Sequence, residues 1–372
     1  MKDPFRSGPP ATAPRGRAVA RGAPDNPASR FERVRTVALD DAPEVQDDDS
    51  GEAPPVPTLY LRDPTRTLLA HNESPDLGFD TSLNPYRGCA HGCSYCYARP
   101  THEYLGFSAG LDFETRVLVK EEAPALLRKA LSAPGWRPRV VALAGVTDAY
   151  QPVERRLRLT RRCLEVFAEF LNPVGIVTKS SLVARDADLL GELARRGAAA
   201  VHISLTTLDR ALQAKLEPRA SAPRARLAAI EALAAAGVPV GVMVAPVIPG
   251  LTDHEIPALL EAAASAGARF ASHVMLRLPH GVKEIFAGWL ERHVPLRREH
   301  VLARVREMRG GALDDARFHA RMRGTGTYAA QIHALFDLTC RRVGLAGERP
   351  ALSTAAFRRP QDAQLALFQA RG

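Results

Sequence analysis

Cys89, Cys93 and Cys96 lie in one short run, NPYRGCAHGCSYCYARPTHEY, where their type and spacing admit metal chemistry. Three thiolates carried by one loop can face one small metal centre. A 4Fe–4S cubane normally takes four cysteines, one per iron. No fourth lies near, because Cys163 and Cys340 are remote and isolated. Three protein ligands leave one iron open to a small molecule, the arrangement a catalytic metal site requires. Structural zinc held by the same thiolates with His91 or His102 is the alternative, since Cys3His sites exist. Zinc ligands usually come as two pairs separated by a loop, and this chain has a single cysteine cluster. A disulfide framework does not fit, because three is odd and the other cysteines follow no pattern.

The loop needs a scaffold, and the sequence after it supplies strands alternating with helices. Apolar β-type runs fall at Arg139–Ala144, Pro173–Thr178, Ala199–Leu205, Val238–Ala245 and Arg269–Leu276. Ser82–Arg87, leading into the cysteines, makes a sixth. Helical patterns separate them, and several stop at a glycine (Gly197, Gly237, Gly267) just before the next strand. Alternation of this kind implies parallel βαβ units with right-handed crossovers. Six strands fit a partial (β/α)6 barrel, although periodicity alone describes an open doubly wound sheet equally well. In both, ligands bind at the C-terminal edge of the strands. That edge would carry Thr147-Asp148, Lys179, Ser204 with Thr206-Thr207, Pro246–Gly250, and Arg277 with His280.

With 372 residues, 46 % of them hydrophobic, the chain can bury a large α/β core. Residues 1–57 are rich in Pro, Ala, Arg and Asp without apolar periodicity, and read as a disordered leader. A core from 58 to 280, a helical extension from 281 to 344 and a tail from 345 to 372 follow. Thr58–Ala70 reads as an extended segment or short hairpin. No apolar run is long enough to span a membrane, and no secretory h-region is present. Five cysteines, three of them clustered, suit a reducing cytoplasm. The net charge of +9 permits a nucleic-acid partner. Arginine is densest between Arg292 and Arg323, where interleaved acidic residues also fit the solvated faces of amphipathic helices.

Cys-x3-Cys-x2-Cys with Tyr95 before the last cysteine resembles the signature of the radical S-adenosylmethionine (SAM) superfamily. The segments TDAYQPVE (Thr147–Glu154), TKS after the third strand and HISLTTLD in the fourth resemble its spore photoproduct lyase-like branch, also termed DNA repair photolyase-like. The likeness covers Ser82 to Arg277 and extends to about Gly344. It implies a partial (β/α)6 TIM-like barrel, with Cys89, Cys93 and Cys96 ligating three irons of a 4Fe–4S cluster. The open iron would chelate SAM, whose reductive cleavage yields a 5′-deoxyadenosyl radical. A flavodoxin or ferredoxin would supply the electron.

The resemblance also implies residue roles. Tyr95 and Tyr97 would contact the adenine or ribose, and either could take part in hydrogen transfer. Thr147, with Asp148 behind it, would hold the SAM amino group, Lys179 its carboxylate and Ser204 the ribose. Glu217 and Arg219 would help close the site. One position departs from the branch: where spore photoproduct lyases carry a hydrogen-donating cysteine, this chain has Val146. The expected function is hydrogen abstraction from a substrate the sequence does not identify, a nucleic-acid base or lesion being one candidate. The alternatives are a radical SAM enzyme acting on peptide or RNA, and a zinc-stabilised, non-catalytic nucleic-acid-binding protein.

Overall fold

The computed structural model describes residues 21–31, 56–347 and 349–360. Its strands, in chain order, are β1 (Leu59–Arg62), β2 (Leu69–His71), β3 (Thr81–Leu83), β4 (Tyr86–Arg87) and β5 (Arg116–Val119). They continue as β6 (Val141–Leu143), β7 (Val174–Thr178), β8 (Ala199–Ser204), β9 (Val240–Val247) and β10 (Phe270–Met275). The main sheet runs β10-β9-β8-β7-β6-β3-β2. From β3 to β10 every pairing is parallel, and only β2 is antiparallel.

That order decides between the two architectures left open by periodicity. A doubly wound sheet reverses strand order at a switch point. Here each parallel strand pairs with the parallel strand before it, so the six curl one way as a partial barrel. Valine- and isoleucine-rich strands suit a sheet whose faces are both covered. Leu83, Val141, Ile176, Val201, Ile203, Val240 and Val242 are fully buried in it. The crossover helices include Leu159–Phe170, Ala187–Ala194, Pro223–Ala235 and Ile256–Ser265. Gly197, Gly237 and Gly267 stop the last three with left-handed φ of 65°, 75° and 97°.

The helical extension has two tasks. Helices Val282–His293 and Arg298–Met308 bring Phe286, Trp289 and Val301 into a second core with Leu276 and Leu278, which Cys93 and Tyr95 join. Helix Gly326–Val343 packs on Ile256–Ser265. Beyond it, Ser353 N–H donates to Gly197 O (2.8 Å) and Arg358 N–H to Phe170 O (2.9 Å), tying 349–360 to the barrel. None of the helices among the described residues is long and apolar enough to cross a membrane.

Three expectations need correction. Ser82–Arg87 is not one strand: Pro85, which has no N–H to give a ladder, separates β3 in the main sheet from β4 in a small β1-β5-β4 sheet. The Thr58–Ala70 hairpin is also absent, since β1 pairs with β5 and β2 with β3. Residues 21–31 of the expected leader lie on the core instead, held by hydrogen bonds rather than by apolar periodicity. The rest of that leader, 1–20 and 32–55, and residues 361–372 of the tail lie outside the described residues.

Candidate active site

The cysteine loop sits against the C-terminal edge of the parallel strands and is fastened along its length. Cys89 N–H donates to Phe113 O (2.9 Å), Ala90 N–H to the Gln151 amide (3.0 Å) and Ser94 N–H to Leu216 O (3.0 Å). Thr147 gives its hydroxyl to Gly88 O (2.7 Å), and Tyr97 gives its own to Gly145 O (2.6 Å). Beneath the loop, the fully buried Arg99 clamps Cys93 O through Nε (3.0 Å) and Nη2 (2.8 Å) and pairs with the Glu114 carboxylate. Glu114 also receives the amides of Gly22 (3.1 Å) and Ala23 (2.8 Å), so residues 21–31 form a strap over the loop. A Cβ on Gly22 would stand 1.7 Å from Gly92 O, so only glycine permits this approach.

The strand ends are stitched to one another and to the loop. Asp148, after β6, accepts from Thr178 Oγ1 (2.7 Å) and Lys179 N–H (2.8 Å) and faces His91 Nδ1 (3.4 Å). Lys179, after β7, directs Nζ to Ser204 Oγ (2.8 Å), Thr206 Oγ1 (3.0 Å), Ala245 O (2.8 Å) and Glu217 (3.1 Å). Glu217 is fully buried, pairs with Arg226 and accepts from Tyr95 and Thr206.

These contacts set the ionisation of the site. Burial alone would raise the Asp148 carboxyl, but His91 and the donors from Lys179 and Thr178 hold it down at about 2. Burial alone would lower His91, yet Asp148 keeps it up at about 10. Burial likewise opposes Glu217, whose pKa is nonetheless lowered by Arg226 and Lys179. Burial pushes the Cys96 thiol up to about 11 and that of Cys93 well above its usual range.

The structure therefore gathers the predicted residues while giving several of them work within the protein. Thr147, Asp148, Lys179 and Ser204 all stand at the expected edge. Asp148, Lys179 and Ser204 are occupied in joining neighbouring strand ends. Tyr95 differs from its expected role: it is buried, with its hydroxyl on Glu217 and Lys179 Nζ 5.6 Å from its ring centre, so its proton is not free for transfer. Tyr97 is half exposed beside the exposed Val146. Glu217 and Arg219, expected at a closing edge, are fixtures: Glu217 holds the network, and Arg219 donates its N–H to His91 O (3.2 Å) and Nη1 to Thr58 (3.0 Å). Sequence reasoning missed Arg99, Glu114 and Arg226. The only available signal was ionic residues in otherwise apolar-flanked segments, which surface helices also show.

Cys163 is buried in the core, and Cys340 is buried in the helix Gly326–Val343. His91 hydrogen-bonds Cys89 as well as Asp148, whereas His102 stays apart from the cysteines. His91 faces Asp148, and His102 donates Nε2–H to Arg116 O (2.9 Å). Among the described residues, no three His, Cys, Asp or Glu side chains converge on a point where one ion could sit. A tetrahedral zinc would draw its ligands to about 2.0–2.3 Å of one point. A cubane spreads its thiolates over separate irons, so its ligands need not meet at one point. Thiols that burial keeps protonated are also what a metal would have to deprotonate on binding.

The comparisons agree with this geometry. Residues 83–263 match the family model described as the Radical SAM superfamily. An uncharacterized protein of Mycobacterium tuberculosis is 42 % identical over 234 residues, covering 62 % of this chain and 68 % of that protein. One from Methanocaldococcus jannaschii is 29 % identical over 174 residues, covering 46 % and 62 % respectively. A tyrosine-to-phenylalanine variant of spore photoproduct lyase is similar in structure, with a TM-score of 0.52 at 17 % identity over 77 % of this chain and 80 % of that one.

A curled parallel sheet with three cysteines on the loop at its C-terminal edge defines an enzyme of the radical type. The chain belongs to the radical SAM superfamily, and its fold is spore photoproduct lyase-like. Family membership overturns the non-catalytic zinc protein kept as an alternative.

Proposed function

We propose that Cys89, Cys93 and Cys96 hold a 4Fe–4S cluster whose open iron takes SAM, and that the enzyme abstracts hydrogen from a nucleic-acid base or lesion at the barrel mouth. When bound, the cluster and SAM would supply one-electron reductive cleavage chemistry, the electron coming from a flavodoxin- or ferredoxin-type donor. The observation supporting this reading is the fastening of one three-cysteine loop to the end of β6 through Thr147 and Asp148, to Thr206 after β8 and to Glu217 through Tyr95, with Lys179 after β7 against the Tyr95 ring. It fixes the backbone that carries the three cysteines at the edge where a parallel sheet binds its ligands.

The chain's own residues then have distinct tasks. Arg99 and Glu114 hold the loop backbone from below. The Lys179–Glu217–Arg226 network seats Tyr95 as a wall. Thr147 would meet the SAM amino group, and Lys179 its carboxylate by exchanging an internal acceptor for the ligand. Ser204 would lie near the ribose. Tyr97 would take the hydrogen-transfer role by releasing its hydroxyl from Gly145 O, its ring being half exposed and Val146 beside it having no thiol to offer. The positive net charge supports a polyanionic substrate.

The test is anaerobic reconstitution of the full chain. About four irons and four sulfides per chain, absorbance near 400 nm and dithionite-driven release of 5′-deoxyadenosine and methionine are expected. Stoichiometric zinc without iron, or intact cluster without SAM cleavage, would overturn the proposal.

A further inference from the structure

Four aromatic side chains are exposed among the described residues: Phe31, Tyr97, Tyr104 and Phe318, at 55, 49, 71 and 53 %. They come from three distant parts of the sequence, yet contacts link all of them around the end of β10. Phe31 and Tyr104 pack with ring centres 5.1 Å apart, and the Arg30 guanidinium lies 5.1 and 5.8 Å from those rings. Arg30 Nη1 is 3.1 Å from His280 Nε2, just after β10. Arg277, three residues earlier, lies 5.3 Å from the Tyr97 ring centre and reaches Met322 Sδ (3.4 Å). Arg321, next to Met322, stands 4.6 Å from the Phe318 ring centre. Every exposed aromatic thus carries an arginine, and the resulting rim borders the exposed Val146 and Tyr97.

The arginines are not equivalent. Arg30 pairs with Glu103 (2.6 Å), and Arg321 pairs with Asp76. Arg277 has no carboxylate within ion-pair distance among the described residues, and its buried Nε has no hydrogen-bond partner. A partly buried guanidinium whose nearest carboxylates, Asp314 and Asp76, stand beyond ion-pair distance bears a desolvation cost that an arriving anion relieves. Phosphate suits the planar fork of arginine, and unstacked bases suit open aromatic faces. Bases within a duplex cannot reach such faces.

We infer that this rim binds unpaired nucleotides of a single-stranded nucleic acid, with a phosphate on Arg277 and bases on Tyr104, Phe31 and Phe318. Phe31 and Phe318 lie outside the family-matched residues 83–263, while Tyr97 and Tyr104 lie within them. The inference deepens the proposed substrate class and rests on that reading only for where the bound strand leads.

The experiment uses the cluster-free full chain and a fluorescein-labelled 12-nucleotide single strand, with the same sequence as a duplex for comparison, read by anisotropy over a salt series. Preferential single-strand binding that weakens with salt is expected. Tyr104→Ala and Phe318→Ala should each lower affinity roughly ten- to a hundredfold, since stacking contributes at that scale. Arg277→Gln should also reduce the salt slope by about 0.7, one phosphate contact on a single strand. Leu296→Ala, fully exposed and on the 3₁₀ turn 295–297, should change nothing. Equal duplex binding, no binding at low salt, or unaltered affinity in Tyr104→Ala and Phe318→Ala would overturn the inference. SAM cleavage by reconstituted wild type and the same two aromatic variants separates the claims: retained cleavage with no effect on oligonucleotide binding refutes the rim alone, whereas absent cleavage refutes the proposed function.

Discussion

Asp148→Asn probes how the barrel edge holds the cysteine loop. The carboxylate is one-tenth exposed and joins β6 to the end of β7 through Thr178 and Lys179 while facing His91. Its pKa falls from 3.8 to about 2 in the folded chain. At 1.36 kcal/mol per unit, that difference is on the order of 2–3 kcal/mol of stability. Because the folded value is the lower one, this contribution is complete above about pH 4 and is lost as pH falls through about 2. Asparagine keeps the shape but brings an NH2 towards donors and removes the charge facing His91. Urea unfolding of the cluster-free chain should show a loss of about 2–3 kcal/mol in the variant near neutral pH. The gap to wild type should widen as pH falls through about 6.5, where His91 without Asp148 stays neutral in the folded chain, and narrow between about 4 and 2 as Asp148 protonates. A gap that is absent, or that does not change with pH across that window, would refute the electrostatic reasoning.

Other perturbations test separate links. Alanine at Cys89, Cys93 or Cys96 should abolish iron binding, while Cys163→Ala and Cys340→Ala retain it; iron and sulfide assays decide, and a requirement for Cys163 or Cys340 would contradict the buried packing seen here. Lys179→Met leaves Glu217 with Arg226 as its remaining cation, so the apo chain should lose stability on the order of 3 kcal/mol, seen as a lower melting temperature, and SAM affinity should fall with it. An unchanged melting curve would show that the ammonium is dispensable to the network. Gly22→Val cannot keep its approach to Gly92, so trypsin should cut at Arg21 and Arg30 faster while the barrel core still melts cooperatively; equal protection would mean the strap tolerates a side chain. Val146→Cys places a thiol beside Tyr97, and if a thymine lesion is the substrate its turnover should rise with fewer by-products; an unimproved yield on such a lesion would argue against hydrogen return at this position.

What the sequence makes legible here is what local pattern encodes. Cysteine spacing marks the metal loop because ligands on one loop must be close in the chain. The run of strands and glycine-stopped helices marks a parallel sheet because burial repeats with the period of each element. Periodicity says nothing about neighbour order, so the choice between curled and doubly wound sheets required the pairing itself. The strap was unreadable for a related reason. Residues 21–31 owe their place to two backbone amides meeting Glu114 and to a glycine fitting Gly92, and neither contact leaves an apolar rhythm.

The same reasoning explains why the expected SAM residues proved to be engaged. Residues at the C-terminal edge of parallel strands face both a ligand and one another, and polar side chains there cannot stay unpaired when buried. Asp148, Lys179 and Ser204 satisfy one another across β6, β7, β8 and β9, and through His91 and Glu217 they reach the loop. A ligand binding there would exchange hydrogen bonds rather than fill vacant ones. Loop position and ligand affinity are therefore coupled: a substitution at Lys179 acts on both, whereas one at Tyr104, far out on the rim, acts on neither.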